Sequence, residues 1–227
     1  MKNYLIVGGS KGVGEQIVQE LSEKGNFCHV ISRTNPTYSF NGNWYQLDAL
    51  NDELPQLESL DGLVYCLGSI NLKPFHRLSL DDFKSDYAIN VEGAIKAFQY
   101  YLPALKKSEL ASVVMFSTVA VQSGMPFHAS IAASKGAIEG LVKSFAAEFA
   151  PKIRVNAIAP SLIDTPLASG ILRSELIKEN IIAKHPLKRI LNPTDVSKTA
   201  CFLLSDDSNG ITGQIIVQDN GLVSLSY

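Results

Sequence analysis

Val7-Gly8-Gly9-Ser10-Lys11-Gly12-Val13-Gly14 decides how this chain is read. The stretch follows a short apolar run at residues 4–7 and leads into Val13, Ile17, Val18 and Leu21, which recur at helical spacing. A strand, a glycine turn and an amphipathic helix, in that order, make an anion site. Glycine lets the backbone turn tightly and approach a phosphate, and free amides at the helix start bind its charge. Gly8, Gly12 and Gly14 form the turn, with Ser10, Lys11 and Val13 between them. The pattern predicts dinucleotide binding.

Working outward, short apolar runs alternate with longer helical patterns along the whole chain. Residues 4–7, 27–31, 44–47, 63–67, 112–116, 154–158 and 215–217 read as strands. Ile131, Ile138, Leu141, Val142, Phe145 and Phe149 recur at helical spacing. Such alternation predicts an α/β fold of the Rossmann type, a doubly wound parallel seven-stranded sheet with helices on both faces. With no internal repeat, low-complexity tract or linker, residues 1–227 read as one domain.

Composition narrows the function classes. Of 227 residues, 46% are hydrophobic and 19% charged, which supplies ample core material. A formal charge of −2 gives no electrostatic reason to expect nucleic acid as a partner. The N-terminal apolar run is too short for a signal-peptide core, and no run approaches the ~20 apolar residues of a membrane span. Three cysteines, Cys28, Cys66 and Cys201, each in an apolar element, read as reduced thiols of a cytoplasmic protein. Four scattered histidines offer no ligand spacing, so no metal site is expected.

The end of the second strand, Ile31-Ser32-Arg33-Thr34, selects the cofactor. A cofactor without a 2′-phosphate usually meets a carboxylate about 20 residues past the glycines. This chain has Ser32 and Arg33 there, and Lys11 within reach from the turn. Two cations and no carboxylate suit a 2′-phosphate, so NADP(H) is expected.

At this point the chain resembles the classical short-chain dehydrogenase/reductase family over essentially its full length. Gly8, Gly12 and Gly14 match that family's cofactor turn, with Val7 in place of its usual threonine. Asp48 matches the acidic residue that holds the adenine ring, and Asn90-Val91-Glu92-Gly93 the family's Asn-Val-x-Gly motif. Residues 153–160, ending at Pro160, match the segment leading to the nicotinamide loop, which continues through Ile163 and Thr165. The family's Asn-Asn-Ala-Gly appears as Tyr65-Cys66-Leu67-Gly68, keeping only the glycine, and the resemblance places Cys66, Leu67 and Gly68 beside the cofactor. The short stretch between Asp48 and Gly62 suggests a trimmed helix.

The resemblance implies a catalytic set of Asn90, Thr118 and Lys135, with Lys135 also donating to the nicotinamide ribose. Where the family carries its proton-donating tyrosine, four residues before Lys135, this chain has Ile131. An aliphatic side chain neither titrates nor donates a hydrogen bond. One replacement donor stands nearby in sequence, His128, about one turn earlier, with Ser130 next to Ile131. Ser117 is an alternative hydroxyl to Thr118, whose spacing to Lys135 matches better.

Two functions follow. One is an NADP(H)-dependent oxidoreductase acting on a small carbonyl or alcohol, with atypical proton delivery. The other is an NADP(H)-binding sensor or structural protein with weak or no catalysis. The largely aliphatic segment from Leu167 to Leu172 implies an apolar pocket lid. The resemblance further implies a homodimer or homotetramer joined through helices at residues 80–105 and 131–150.

Overall fold

The apolar runs form seven parallel strands. They are β1 (Asn3–Val7), β2 (Phe27–Ser32), β3 (Gly42–Gln46), β4 (Gly62–Tyr65), β5 (Ala111–Phe116), β6 (Ile153–Pro160) and β7 (Ile215–Gln218). The computed structural model describes residues 1–225. Strand order is β3-β2-β1-β4-β5-β6-β7. Every residue of β4 and β6 is buried, as expected of strands covered on both faces. The order reverses direction between β1 and β4, and a crevice opens at such a switch point beyond the strands' C-terminal ends.

Alternation along β1 assigns the two faces. Leu5 and Val7 point into one core, shared with Phe98, Ile138 and Val142 of α3 (Gly93–Leu105) and α4 (Ala129–Phe149). Tyr4 and Ile6 point into the other, shared with Ile17, Val18, Val196 and Leu203 of α1 (Gly12–Glu23) and α6 (Pro193–Leu204). Asn192 and Asp195 form a reciprocal capping box that starts α6, with Pro193 as its first helical residue. Ser79 and Asp82 do the same for α2 (Leu80–Tyr87). From α2 the chain passes through a π turn, Ala88–Glu92, straight into α3. The helix α5 (Glu175–Lys184) buries none of its residues. No helix among the described residues is long and apolar enough to cross a membrane.

The structure corrects some boundaries. β3 begins two residues before the sequence pattern suggests, and β4 ends at Tyr65, freeing Cys66 and Leu67 for the loop beyond it. The helix expected between Asp48 and Gly62 is absent. Side chains of α3 do its work by taking the loop's carbonyls directly. Lys96 donates to those of Leu50 and Asp52 (2.9 and 2.8 Å), Tyr100 to that of Leu54 (2.7 Å) and Tyr101 to that of Pro55 (3.0 Å).

Candidate active site

The glycine turn takes shape from its dihedral angles. Gly8 (φ +91°) and Gly12 (φ +62°) lie in the left-handed region. A Cβ at Gly8 would stand 2.9 Å from Leu67 Cδ2, and one at Gly14 would overlap the Gly8 carbonyl. No side chain caps the first turn of α1, so its leading amides, which have no partner within the helix, are available to an anion.

Residues just beyond β2 are fastened to this turn. Ser10 Oγ lies 3.0 Å from Thr34 Oγ1, and the Tyr38 hydroxyl donates to the Gly9 carbonyl. Lys11, next to Ser10, and Arg33, next to Thr34, are both exposed. The Ser32 hydroxyl is used internally: it donates to the Thr34 carbonyl (2.8 Å) and accepts from the Trp44 indole (3.0 Å). It supports the bend that carries Arg33. Asp48 accepts from the Leu50 amide (2.9 Å) and the Asn51 side chain (3.2 Å). The Leu50 amide is the main reason its carboxyl stays below the usual carboxylate range, with attraction from Arg33 a smaller contribution.

Across the switch point, Gly68, Asn90 and Lys135 converge. A Cβ at Gly68 would stand 3.3 Å from Asn90 Oδ1 and 3.7 Å from Lys135 Nζ. Asn90 is buried in the π turn, a device frequent at functional sites. The Tyr65 hydroxyl reaches that turn and donates to the Ile89 carbonyl (2.6 Å). Only glycine fits at position 93, because a Cβ there would overlap the Tyr65 hydroxyl. Asn90 spends both amide hydrogens, on Ser69 Oγ (2.9 Å) and the Asp86 carbonyl (2.7 Å), and leaves Oδ1 buried without a partner among the described residues.

Lys135 is 8% exposed and makes no hydrogen bond to the described residues. Burial pulls its pKa down to about 8, opposed in part by Cys66 and Asp86. The Cys66 thiol, in turn, is pushed up to about 12 by burial. Thr118 stands at the turn after β5, its hydroxyl accepting from the Ala120 amide (3.3 Å). On the far side, Thr165 Cγ2 lies 3.4 Å from where a Gly12 Cβ would be. The segment after β6, through Pro160, Ile163 and Thr165, therefore meets the glycine turn. Ile163 is fixed there by a parallel bridge to Leu191. Val13 leans into the second core.

Ile131 is buried one turn before Lys135, yet belongs to neither core cluster. His128 and Ser117 both have partners elsewhere. His128 Nδ1 lies 2.7 Å from the Pro126 carbonyl, and the Ser117 hydroxyl donates to Glu139 (2.6 Å). Nothing in the sequence marks Asp86 or Ser69, and Ser130 stands out there only as the neighbour of Ile131; the three meet beside Asn90. No spacing rule joins them; the nearest signal is their position next to Gly68, Asn90 and Ile131.

A left-handed glycine turn leading into an uncapped helix on one side of the switch point, and a buried lysine and amide on the other, is the arrangement expected of a dinucleotide-dependent enzyme of the α/β class. The comparisons narrow that class. Residues 44–223 match a family model described as enoyl-(acyl carrier protein) reductase. A tropinone reductase homolog of Arabidopsis thaliana is 32% identical over 97% of this chain and 91% of its own length. Among solved structures, ElxO with NADP bound superposes with TM-score 0.88 at 30% identity, covering 99% of this chain and 100% of that one. The ligand-free aldohexose dehydrogenase of Thermoplasma acidophilum gives TM-score 0.89 at 25% identity, covering 100% and 96%. The chain belongs to the short-chain dehydrogenase/reductase family, whose members are nicotinamide-dependent oxidoreductases.

Proposed function

We propose that the chain is an NADP(H)-dependent oxidoreductase acting on a small carbonyl or alcohol. The observation that carries the cofactor reading is the exposed pair Lys11 and Arg33, fastened by the Ser10–Thr34 and Tyr38–Gly9 contacts and free of any carboxylate at residues 32–34. A guanidinium and an ammonium suit a 2′-phosphate. The similar ElxO structure, with NADP bound, supports the same reading.

The residues present fit such a cofactor. Uncapped amides of α1, with Gly8, Ser10, Gly12 and Val13, would hold the pyrophosphate. Asp48 would border the adenine, and Cys66, Leu67 and Gly68 the neighbouring ribose. Lys135 and Asn90 Oδ1, neither with a hydrogen-bond partner among the described residues, would serve the nicotinamide end, closed over by Pro160, Ile163 and Thr165. When bound, the nicotinamide gives or takes a hydride. Thr118 holds the substrate oxygen, and Ile131 adds an apolar wall. Leu167, exposed on the lid segment, and the unburied α5 leave that side open to a small apolar substrate. Self-association through residues 80–105, which form α2 and α3, and through α4, in a cytoplasmic setting, completes this reading. Free thiols at Cys28, Cys66 and Cys201 agree with it.

One observation favours the second reading, a binding protein with little turnover: Ile131 is buried where the resemblance expects a phenol. Fluorescence titration, followed by an assay over a panel of carbonyl compounds, separates the two. NADPH should bind at least about tenfold tighter than NADH, a difference of ~1.4 kcal/mol. Arg33→Ala should erase most of that preference. Equal affinities, or an Arg33→Ala chain that still prefers NADPH, would reject the 2′-phosphate assignment.

A further inference from the structure

Asp86 is a carboxylate that the binding roles above leave unused. It lies near the end of α2, 2% exposed, and both its oxygens accept from hydroxyls. Ser69, in the loop after β4, donates to Oδ1 (2.6 Å), and Ser130, on α4, donates to Oδ2 (2.6 Å). Bonds of about 2.5–2.7 Å are typical of a hydroxyl given to a carboxylate. Ser69 Oγ also accepts from Asn90 Nδ2 (2.9 Å), so hydrogens run from Asn90 to Ser69 to Asp86, and from Ser130 to Asp86. A hydroxyl oxygen has two lone pairs. Asn90 takes one on Ser69; the other stays open.

The placement of the two serines separates their roles. Ser130 is fully buried behind the cluster, whereas Ser69 is half-buried and directly follows Gly68, which faces Asn90 Oδ1 and Lys135 Nζ. Ser69 therefore borders the cradle. Attraction between Lys135, on α4, and Asp86 offsets part of the cost of burying the lysine.

We propose that Ser69 and Asp86 exchange the substrate proton, the Ser69 hydroxyl touching the substrate oxygen and Asp86 acting through it as a positioning residue. The inference rests on the oxidoreductase reading. In alcohol oxidation the substrate O–H proton passes to Ser69 Oγ as the Ser69 proton passes to Asp86 Oδ1. The C–H bond breaks, its electron pair leaves as hydride to the oxidised nicotinamide, and the C–O bond becomes double. The products are a carbonyl, reduced nicotinamide and protonated Asp86, which returns its proton to solvent. Carbonyl reduction is the reverse. Ser130 keeps the carboxylate aligned.

The test measures kcat, KM, pH profile, melting temperature and NADPH affinity for the wild-type protein, Asp86→Asn, Ser69→Ala and Ser69→Thr. Asp86→Asn and Ser69→Ala should each lower kcat by about 10²-fold, the range for a positioned general acid or base. NADPH affinity should stay within about threefold by fluorescence. Ser69→Thr, which keeps the hydroxyl, should retain most activity. The pH profile of alcohol oxidation should differ between the wild-type protein and Asp86→Asn, which has no carboxylate to receive the proton from Ser69. Activity within about threefold of wild type in Ser69→Ala, or loss of NADPH affinity and melting temperature in step with kcat, overturns the proposal. If Asp86→Asn does not fold, the Ser69 pair decides alone. A wild-type chain that binds NADPH yet turns over no alcohol or carbonyl overturns the oxidoreductase reading, and the proton route with it. An active wild type with unaffected variants overturns only the proton route.

Discussion

Residues 8–14 build their side of the crevice almost alone, while the side around Lys135 is assembled from separate pieces of chain. On the first side, Gly8 and Gly12 adopt left-handed backbone that other residues rarely take, and the helix start supplies its own amides. On the second, Gly68 from one loop, Asn90 from a π turn, Thr118 from another loop and Lys135 from α4 meet only because the sheet and helices bring them together. In the proposed function, local backbone chemistry would specify binding and long-range side-chain contact would specify reactivity.

The sharpest way to break this contrast is to rebuild the reactive side. Ile131→Tyr places a phenol one turn from Lys135 on the same helix face. Placed in the Ser69→Ala chain it should raise carbonyl reduction by about 10²-fold over Ser69→Ala, with a smaller gain over wild type. Steady-state rates on a carbonyl panel check this. Ile131 belongs to neither core cluster, so the overpacking cost should stay near the low end of ~1–3 kcal/mol. A folded, NADPH-binding double variant with no gain would mean that this side is not a reductase pocket.

Lys135 links the two sides. Lys135→Ala should weaken NADPH binding by ~1.5–3 kcal/mol, the value of a hydrogen bond from a charged donor. Unchanged affinity would remove the lysine from the cofactor. The same residue carries a stability cost, because its folded pKa of about 8 lies below the ordinary 10.5. The unfolded chain then holds more protons between pH 8 and 10.5, so the lysine's penalty is full below pH 8 and fades as pH rises through that window. Lys135→Met should therefore raise the melting temperature of the cofactor-free protein at pH 7 and lose that advantage by about pH 10.

A smaller effect tests whether the long-range contacts set the geometry. Gly93→Ala should cost about 1–3 kcal/mol in denaturant unfolding, because the methyl overlaps the Tyr65 hydroxyl. Adding Tyr65→Phe removes that oxygen and should recover part of the loss. No recovery would show that the wedge is not what strains the variant.

The same contrast explains what the sequence revealed. The turn was legible because Gly8, Gly12 and Gly14 answer to local backbone demands, and the strand runs because burial on both faces leaves them uniformly apolar. Asn90 and Lys135 came from resemblance to a family, since spacing alone gives no reason for either. Ser69 and Ser130 lie 17 and 44 residues from Asp86, so nothing local announces their meeting. Tyr65 read as a departure from a familiar motif, and only the fold shows it wedged against Ile89 and Gly93. The helix expected after Asp48 failed because Lys96, Tyr100 and Tyr101 on a distant helix take over its carbonyls.

The fastening of Tyr38 to Gly9 and of Thr34 to Ser10 bears on any attempt to redesign cofactor choice. The residues that would discriminate between cofactors and the turn that would grip every dinucleotide are one mechanical unit. A loop transplanted from an NADH-preferring relative would arrive without its own latches, and the turn beneath would lose two of its ties. Exchange of selectivity in this chain therefore calls for residues 33–38 to be redesigned together with residues 9–11, as a single graft.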